Sequence, residues 1–535
     1  MHVFIFISLA IHLFAMAFTH SIIVFFIIQS FFTASHAFDL SSDGICSITP
    51  FPNFCKTLLP PNNSIDIYDS GRLSIQLSLS TTNQIINSII DFLNLNYLLL
   101  PKSTVSALND CQYLLRLNVD LLLNAADVAK KTNNSLENSD ANDGETWLSA
   151  TITNKQTCLE GLLDAPSVLP VANLITPLIS KGSMICSVSL ALFKKGWNPG
   201  SVVGDFISVS MLKIRQKVVV NPDGSGNYTS INDAIAAAPI DSIEDEGYYQ
   251  IYVVAGVYNE YVSIAANKKY LMMVGDGLDK TIITGNRNVP DGWTTFNSAT
   301  FAVDGQGFVA MNITFKNTAG AAKFQAVAVR NSADLSAFYY CSFEGYQDTL
   351  YTHSLRQFYK DCNIYGTIDF IFGNSAVVFQ NCNIYPRLPL PGQFNAITAQ
   401  GRTDINQNTG ISIHKCTITP SIELASYTGT KPVRTYLGRP WKEYSRTVYM
   451  RSFLDSFIHP DGWSIWTDNF ALSTLYYAEF KNDGRGSDTS KRVRWHGYRG
   501  EISYMDASSF TVSNFIFGNY WLPWTGVPYT GSLYL

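Results

Sequence analysis

Several signatures of common hydrolases are missing from this 535-residue chain. It has no Gly-x-Ser-x-Gly elbow, no Cys-x-x-Cys pair and only eight histidines, of which His353, His414, His459 and His496 alone lie beyond residue 37. These absences exclude a recognisable serine-hydrolase triad and leave no metal site of the zinc type. Charge is scarce, at 15% of residues with a net of −5. Without a basic face to neutralise phosphates, nucleic acid is excluded as a partner. An acidic polymer is not excluded, because one local Arg or Lys can hold a carboxylate whatever the overall balance.

Residues 1–37 contain no Lys, Arg, Asp or Glu, and end in Ser35-His36-Ala37 with small residues at the last and third-last positions. This predicts a secretory signal peptide, with an uncleaved signal anchor as the alternative. Either way the chain leaves the cytosol for an extracellular, oxidising compartment. Sequons at Asn62, Asn133, Asn227 and Asn312 offer glycosylation sites on that route. Nine cysteines fit it too. Cys46 and Cys55 suit a small clasp, Cys111 and Cys158 a staple between two helices, and Cys341 and Cys362 a bridge between adjacent strands of a repeat. Cys186, Cys382 and Cys416 are left open.

The length calls for two large units. From residue 38 to 206 the apolar period is helical: Ile85, Ile86, Ile89 and Ile90 form one stripe, Leu108, Cys111, Leu115, Val119 and Leu122 a second, Leu148, Ile152, Cys158, Leu159 and Leu162 a third, and Leu174 to Phe193 a fourth. Four such helices predict an all-α antiparallel bundle. Residues 207–217 read as a linker, whose Lys213, Arg215 and Lys217 are either processing sites or ordinary solvated charge. From residue 218 to 535 short β-branched and aromatic segments recur. AMNITF, YYCSF, KDCNIY and QNCNIY place Ile313, Cys341, Cys362 and Cys382 in register, the last three separated by 21 and 20 residues. Such a coil-length repeat predicts an all-β right-handed parallel β-helix. An antiparallel sandwich is the alternative.

In that repeat Asp348 of GYQDTLY and Asp369 of GTIDFIFGN stand twenty-one residues apart. One turn of the coil brings them together, and each carboxylate then shifts the pKa of the other. In an extended GTIDFIF, Ile368, Phe370 and Phe372 share the core face, while Thr367, Asp369 and Ile371 share the opposite one. Gln347 and Asp348 both reach one site only if the chain bends between them.

The second half resembles the plant pectin methylesterases through GVYNE (256–260), QAVAVR (325–330), GYQDTLY (345–351), GTIDFIFGN (366–374) and LGRPW (437–441), in the family's order. The first half resembles their inhibitor-like pro-region more loosely, through four cysteines, NDCQYLL and QTCLEGL. The resemblance implies Asp369 as nucleophile, Asp348 as general acid/base, Gln325 and Gln347 as oxyanion donors, and Thr295, Arg439 and Trp441 as substrate contacts, with Arg439 pairing Asp369. It implies hydrolysis of galacturonate methyl esters in pectin, in the cell wall, by a monomer without cofactor or metal. The bundle would inhibit its own or another esterase domain. Phe324 stands where many members carry His, and the linker lacks their dibasic-Leu-Leu cleavage signal. Trp293 and Trp463 are further stacking candidates, whereas core packing is expected of Trp463 and Trp466. The alternatives are a pectin lyase or galacturonan hydrolase on the same fold, or a binding protein that inhibits esterases.

Overall fold

The computed structural model describes residues 42–60, 65–165, 171–198, 212–429 and 431–533. The leader (1–37), Asn62 and the first part of the linker lie outside them.

Two short helices, α1 (Ser42–Ser47) and α2 (Pro52–Leu58), are clasped by the Cys46–Cys55 disulfide. Four long helices follow: α3 (Ile67–Asn96), α4 (Lys102–Ala129), α5 (Asn138–Asp164) and α6 (Thr176–Trp197). The Asp66 carboxylate caps α3 by accepting from the Asp69 N–H at 2.7 Å. The predicted stripes face one another, and Cys111–Cys158 staples α4 to α5. At Gly144 the helices approach so closely that a Cβ would stand 2.2 Å from the Phe193 ring.

The second half winds through three parallel sheets of eleven, seven and eight strands. A complete coil contributes one strand to each sheet, the terminal coils extending only the largest, so strands pair with those one coil away. Ser336–Tyr339, for example, pairs with Arg356–Lys360. The short helix Ile231–Ala237, capped by Ser230, closes one end of the core. Inward aromatics stack from coil to coil, with Phe338, Tyr359 and Phe379 at centroid spacings of 5.0 and 4.7 Å.

The repeat has a specific local cause. Asn312, Tyr340, Asp361, Asn381, Lys415 and Arg451 all have φ between 48° and 59°, turning the chain left-handed for a single residue at the corner between two sheets. The residue that follows, from Ile313 through Cys341, Cys362, Cys382 and Cys416 to Ser452, then points inward. The expected Cys341–Cys362 bridge is absent: both thiols are free, as are those of Cys382 and Cys416. Neighbours in register keep their Cβ atoms near the strand spacing of about 4.8 Å, whereas a disulfide needs them at about 3.8 Å. Each thiol donates instead to a backbone carbonyl one coil back, Cys362 to Phe338 at 3.4 Å and Cys382 to Tyr359 at 3.5 Å.

The linker also ends earlier than its composition suggests. Strand Ile214–Val220 pairs in parallel with Tyr248–Val253, Arg215 meets Glu246 at 2.6 Å, and Lys217 lies over the Tyr252 ring. Cleavage at Arg215 or Lys217 would cut a paired strand rather than a loose tether.

Candidate active site

Asp348 and Asp369 occupy successive coils where the eight-stranded sheet turns into the seven-stranded one, and both are left-handed, with φ of 61° and 53°. The bend required between Gln347 and Asp348 is therefore present. At Asp369 the strand Ile368–Gly373 bulges, its register with Asn395–Gln400 shifting between Ile368 and Ile371. Strict alternation consequently fails. Phe370 and Ile371 both enter the solenoid core, while Phe372 emerges on the groove face and stacks on Tyr351 at 4.2 Å.

Thr295, Gln325, Gln347, Asp348, Asp369, Arg439 and Trp441 all line one cavity of about 480 Å³. Arg439 donates Nε–H and Nη2–H to the two oxygens of Asp369, at 2.8 and 2.6 Å. Asp348 has no ion pair among the described residues. Burial pushes the Asp369 carboxyl up, and the Arg439 hydrogen bonds and charge pull it back. Asp348 is pushed much further, by burial first and then by the charge of Asp369, with only a distant pull from Arg439. Both carboxyls are raised, Asp348 the more, so Asp348 is the stronger proton holder of the pair and Asp369 the more readily ionised.

The aromatic wall is larger than the motifs suggested. Trp441 meets the edges of Phe372 and Tyr351, and Gly401 lets it lie flat on the backbone, since a Cβ there would stand 2.8 Å from its ring. Trp293 lines the cavity. Trp463 does not: it is buried in the core, stacked on Tyr477 at 4.1 Å. Trp466, expected in the core, lies instead on the cavity wall, with the Arg439 guanidinium 4.2 Å from its ring centroid. Its place three residues after Trp463 was the available signal, because one extended stretch with a turn cannot bury both.

The bundle roofs this cavity. Ser103 and Asp110 of α4 and Thr157, Glu160 and Gly161 of α5 complete its lining. Across the seam Asp110 accepts from Thr294 Oγ1 at 2.5 Å and from Asn297, Tyr113 donates to Asp304 at 2.8 Å, and Thr157 meets His353 at 2.9 Å. Arg356 reaches Asp143 at 2.7 Å, Asn374 donates to Thr153 at 2.9 Å, and Lys442 pairs with Glu160.

Fold and site together define a parallel β-helix hydrolase with a carboxylate pair in its groove, joined to a helical module that covers that groove. Residues 217–519 match the pectinesterase family profile, and residues 41–192 match that of the plant invertase/pectin methylesterase inhibitors. The chain belongs to the pectinesterase family. It is 49% identical to the "probable pectinesterase/pectinesterase inhibitor 41" of Arabidopsis thaliana, over 92% of this chain and 95% of that one. It is 45% identical to "Pectinesterase 2" of Citrus sinensis, over 94% and 98% respectively. Among solved structures, the pectin methylesterase from carrot is 51% identical, covers 62% of this chain and 100% of its own, and superposes with a TM-score of 0.57.

Proposed function

We propose that the solenoid hydrolyses the C6 methyl ester of galacturonate in pectin, releasing methanol and leaving the polymer chain intact, and that the docked bundle holds it inactive. The observation that carries the chemistry is the asymmetry of the two carboxylates. Asp369, fixed and charge-paired by Arg439, attacks the ester carbonyl. The Gln325 and Gln347 amides on the same wall donate to the developing oxyanion. Asp348, which holds its proton, gives it to departing methanol. It then takes a proton from the water that cleaves the acyl-enzyme, returning both carboxyls to their starting states. Trp441, with Trp293 and Trp466, offers flat faces for sugar rings, and Thr295 a hydroxyl.

Inhibition follows from the roof: a polymer cannot lie along a groove spanned by α4 and α5. One chain carries enzyme and inhibitor, so a monomer suffices. The leader and the cell-wall substrate point to secretion, with Asn133 and Asn227 exposed and Asn312 half-buried as glycan acceptors.

The test is methanol release from methyl-esterified pectin, with polymer length followed in parallel. Methanol without shortening is expected. Shortening, with unsaturated or reducing ends, would assign a lyase or a galacturonan hydrolase instead.

A further inference from the structure

A second cavity, of about 320 Å³, opens along the same seam at the other end of the α4–α5 pair. The Tyr113–Asp304 and Thr157–His353 contacts stand between it and the active site. Its walls come from both halves: Asp120, Trp147 and Asn154 from the bundle, and Asp241, Lys269 and Gln306 from the turns of the solenoid. Its volume is that of a small-molecule site.

Two observations describe what would fill it. Asn154 is 2% exposed, and its Oδ1 has no hydrogen-bond partner, while its Nδ2 is already committed to Asn118 at 2.8 Å. A buried carbonyl oxygen left this way calls for a donor. Independently, Asp120 and Asp241 face each other across the seam, with Lys269, 3.8 Å from Asp241, as the nearest cation. Partial burial pushes the Asp120 carboxyl up; Lys269 pulls it back, and the Asp241 charge adds to the push. The other two carboxylates of the cavity are already satisfied, Asp304 by Arg330 and Asp334 by Arg356.

Asp120 and Asn154 Oδ1 of the bundle are therefore open acceptors, and Asp241 of the solenoid is held only by its long pair with Lys269, beside the Trp147 ring and the aliphatic wall of Leu117 and Leu121. That combination suits an alkylammonium, which is accepted by carboxylates and attracted to an indole face. The space exceeds what one ion fills, and among the described residues no three His, Cys, Asp or Glu side chains are placed to hold a metal.

We propose that this seam cavity binds a linear aliphatic di- or triamine, with ammonium groups on Asp120, Asp241 and Asn154 Oδ1, and that the bound amine holds the bundle on the solenoid. Because the site is complete only in the docked arrangement, binding shifts the equilibrium toward it by linkage. Binding rests on the docked geometry alone; its effect on activity rests also on the inhibitory reading of the bundle.

The test is isothermal titration of the uncut chain with spermidine at low ionic strength, with calcium chloride and sodium chloride as parallel titrants. One saturable site is expected. Asp120→Asn and Asp241→Asn, both at exposed positions, should each weaken it roughly tenfold, the loss of one charge-assisted hydrogen bond. Asp488→Asn, on a distant exposed turn, should leave it unchanged. Unsaturable heats, equal binding by all three variants, or displacement of spermidine by calcium at equal concentration would overturn the proposal. Saturable binding in a chain whose methanol release proves indifferent to removal of the bundle would uphold the site and refute only the inhibitory reading.

Discussion

Arg439 holds both oxygens of Asp369 and forms no ion pair with Asp348. Two identical side chains one coil apart thereby sit in different electrostatic surroundings. The guanidinium fork fixes the orientation of the Asp369 carboxylate as well as its charge, which a lysine at the same place could not do.

Asp369→Asn is expected to abolish turnover with little change in fold, since it removes the nucleophile and almost no volume. Asp348→Asn should lower kcat by at least about a hundredfold, the low end of what a positioned acid/base contributes. Methanol release, with circular dichroism as the folding control, checks both. Full rates in either variant would refute the assignment of that carboxylate.

Removal of one oxyanion donor, as Gln325→Ala or Gln347→Ala, should cost about 10² to 10³ in kcat. The expected pattern is a fall in kcat with KM little changed. A rise in KM alone would make the glutamines ground-state contacts.

Cutting the chain between Asn198 and Leu212 should raise methanol release, and the gain should depend on pH. In the docked chain Asp110 is pushed up to about 7, by burial first, against the pull of its Thr294 hydrogen bond and of Arg330. Separated into water it returns toward 3.8. Docking therefore takes up a proton between those values. It is strongest below the lower one, weakens as pH rises through the window, and levels off above the upper one. Asp143 and Asp164, both pushed up by burial, add to this slope. The cut chain should thus stay more inhibited at the acidic end, and Asp110→Asn should flatten the profile. An unchanged profile in that variant would remove Asp110 from the switch, and equal rates before and after cutting would leave the bundle a folding or transport role.

Thiol titration should find no reactive cysteine in the native protein and five in denaturant: Cys186, Cys341, Cys362, Cys382 and Cys416, all buried and unbridged. A count of three would mean that one pair of the ladder is bonded after all.

The coil repeat was legible because the corner residue and the inward residue after it recur in every rung, as Asp361-Cys362 and Asn381-Cys382 do. The site was legible through long motifs. What strand periodicity could not give was any place where the backbone departs from it. The bulge at Asp369 sends Ile371 inward and Phe372 outward, against simple alternation, and Trp466 escapes the core that takes Trp463. The rungs were likewise right and their chemistry wrong at Cys341 and Cys362, because spacing by one coil predicts adjacency but not the convergence of Cβ atoms that a covalent bond requires. The roofing of the groove depends on contacts between residues roughly two hundred positions apart, such as Tyr113 with Asp304. No local pattern encodes these.

The left-handed backbone at Asp348 and Asp369 has a thermodynamic consequence. A non-glycine residue held there costs about 1–3 kcal/mol, and asparagine tolerates the conformation better than most. Asp348→Asn should therefore melt no lower than the parent and, with a buried carboxyl removed, somewhat higher, whereas Asp369→Asn, which leaves the Arg439 guanidinium without its carboxylate, should melt lower. On the proposed mechanism, Asp348 is a place where this fold gives up durability to keep its reactivity.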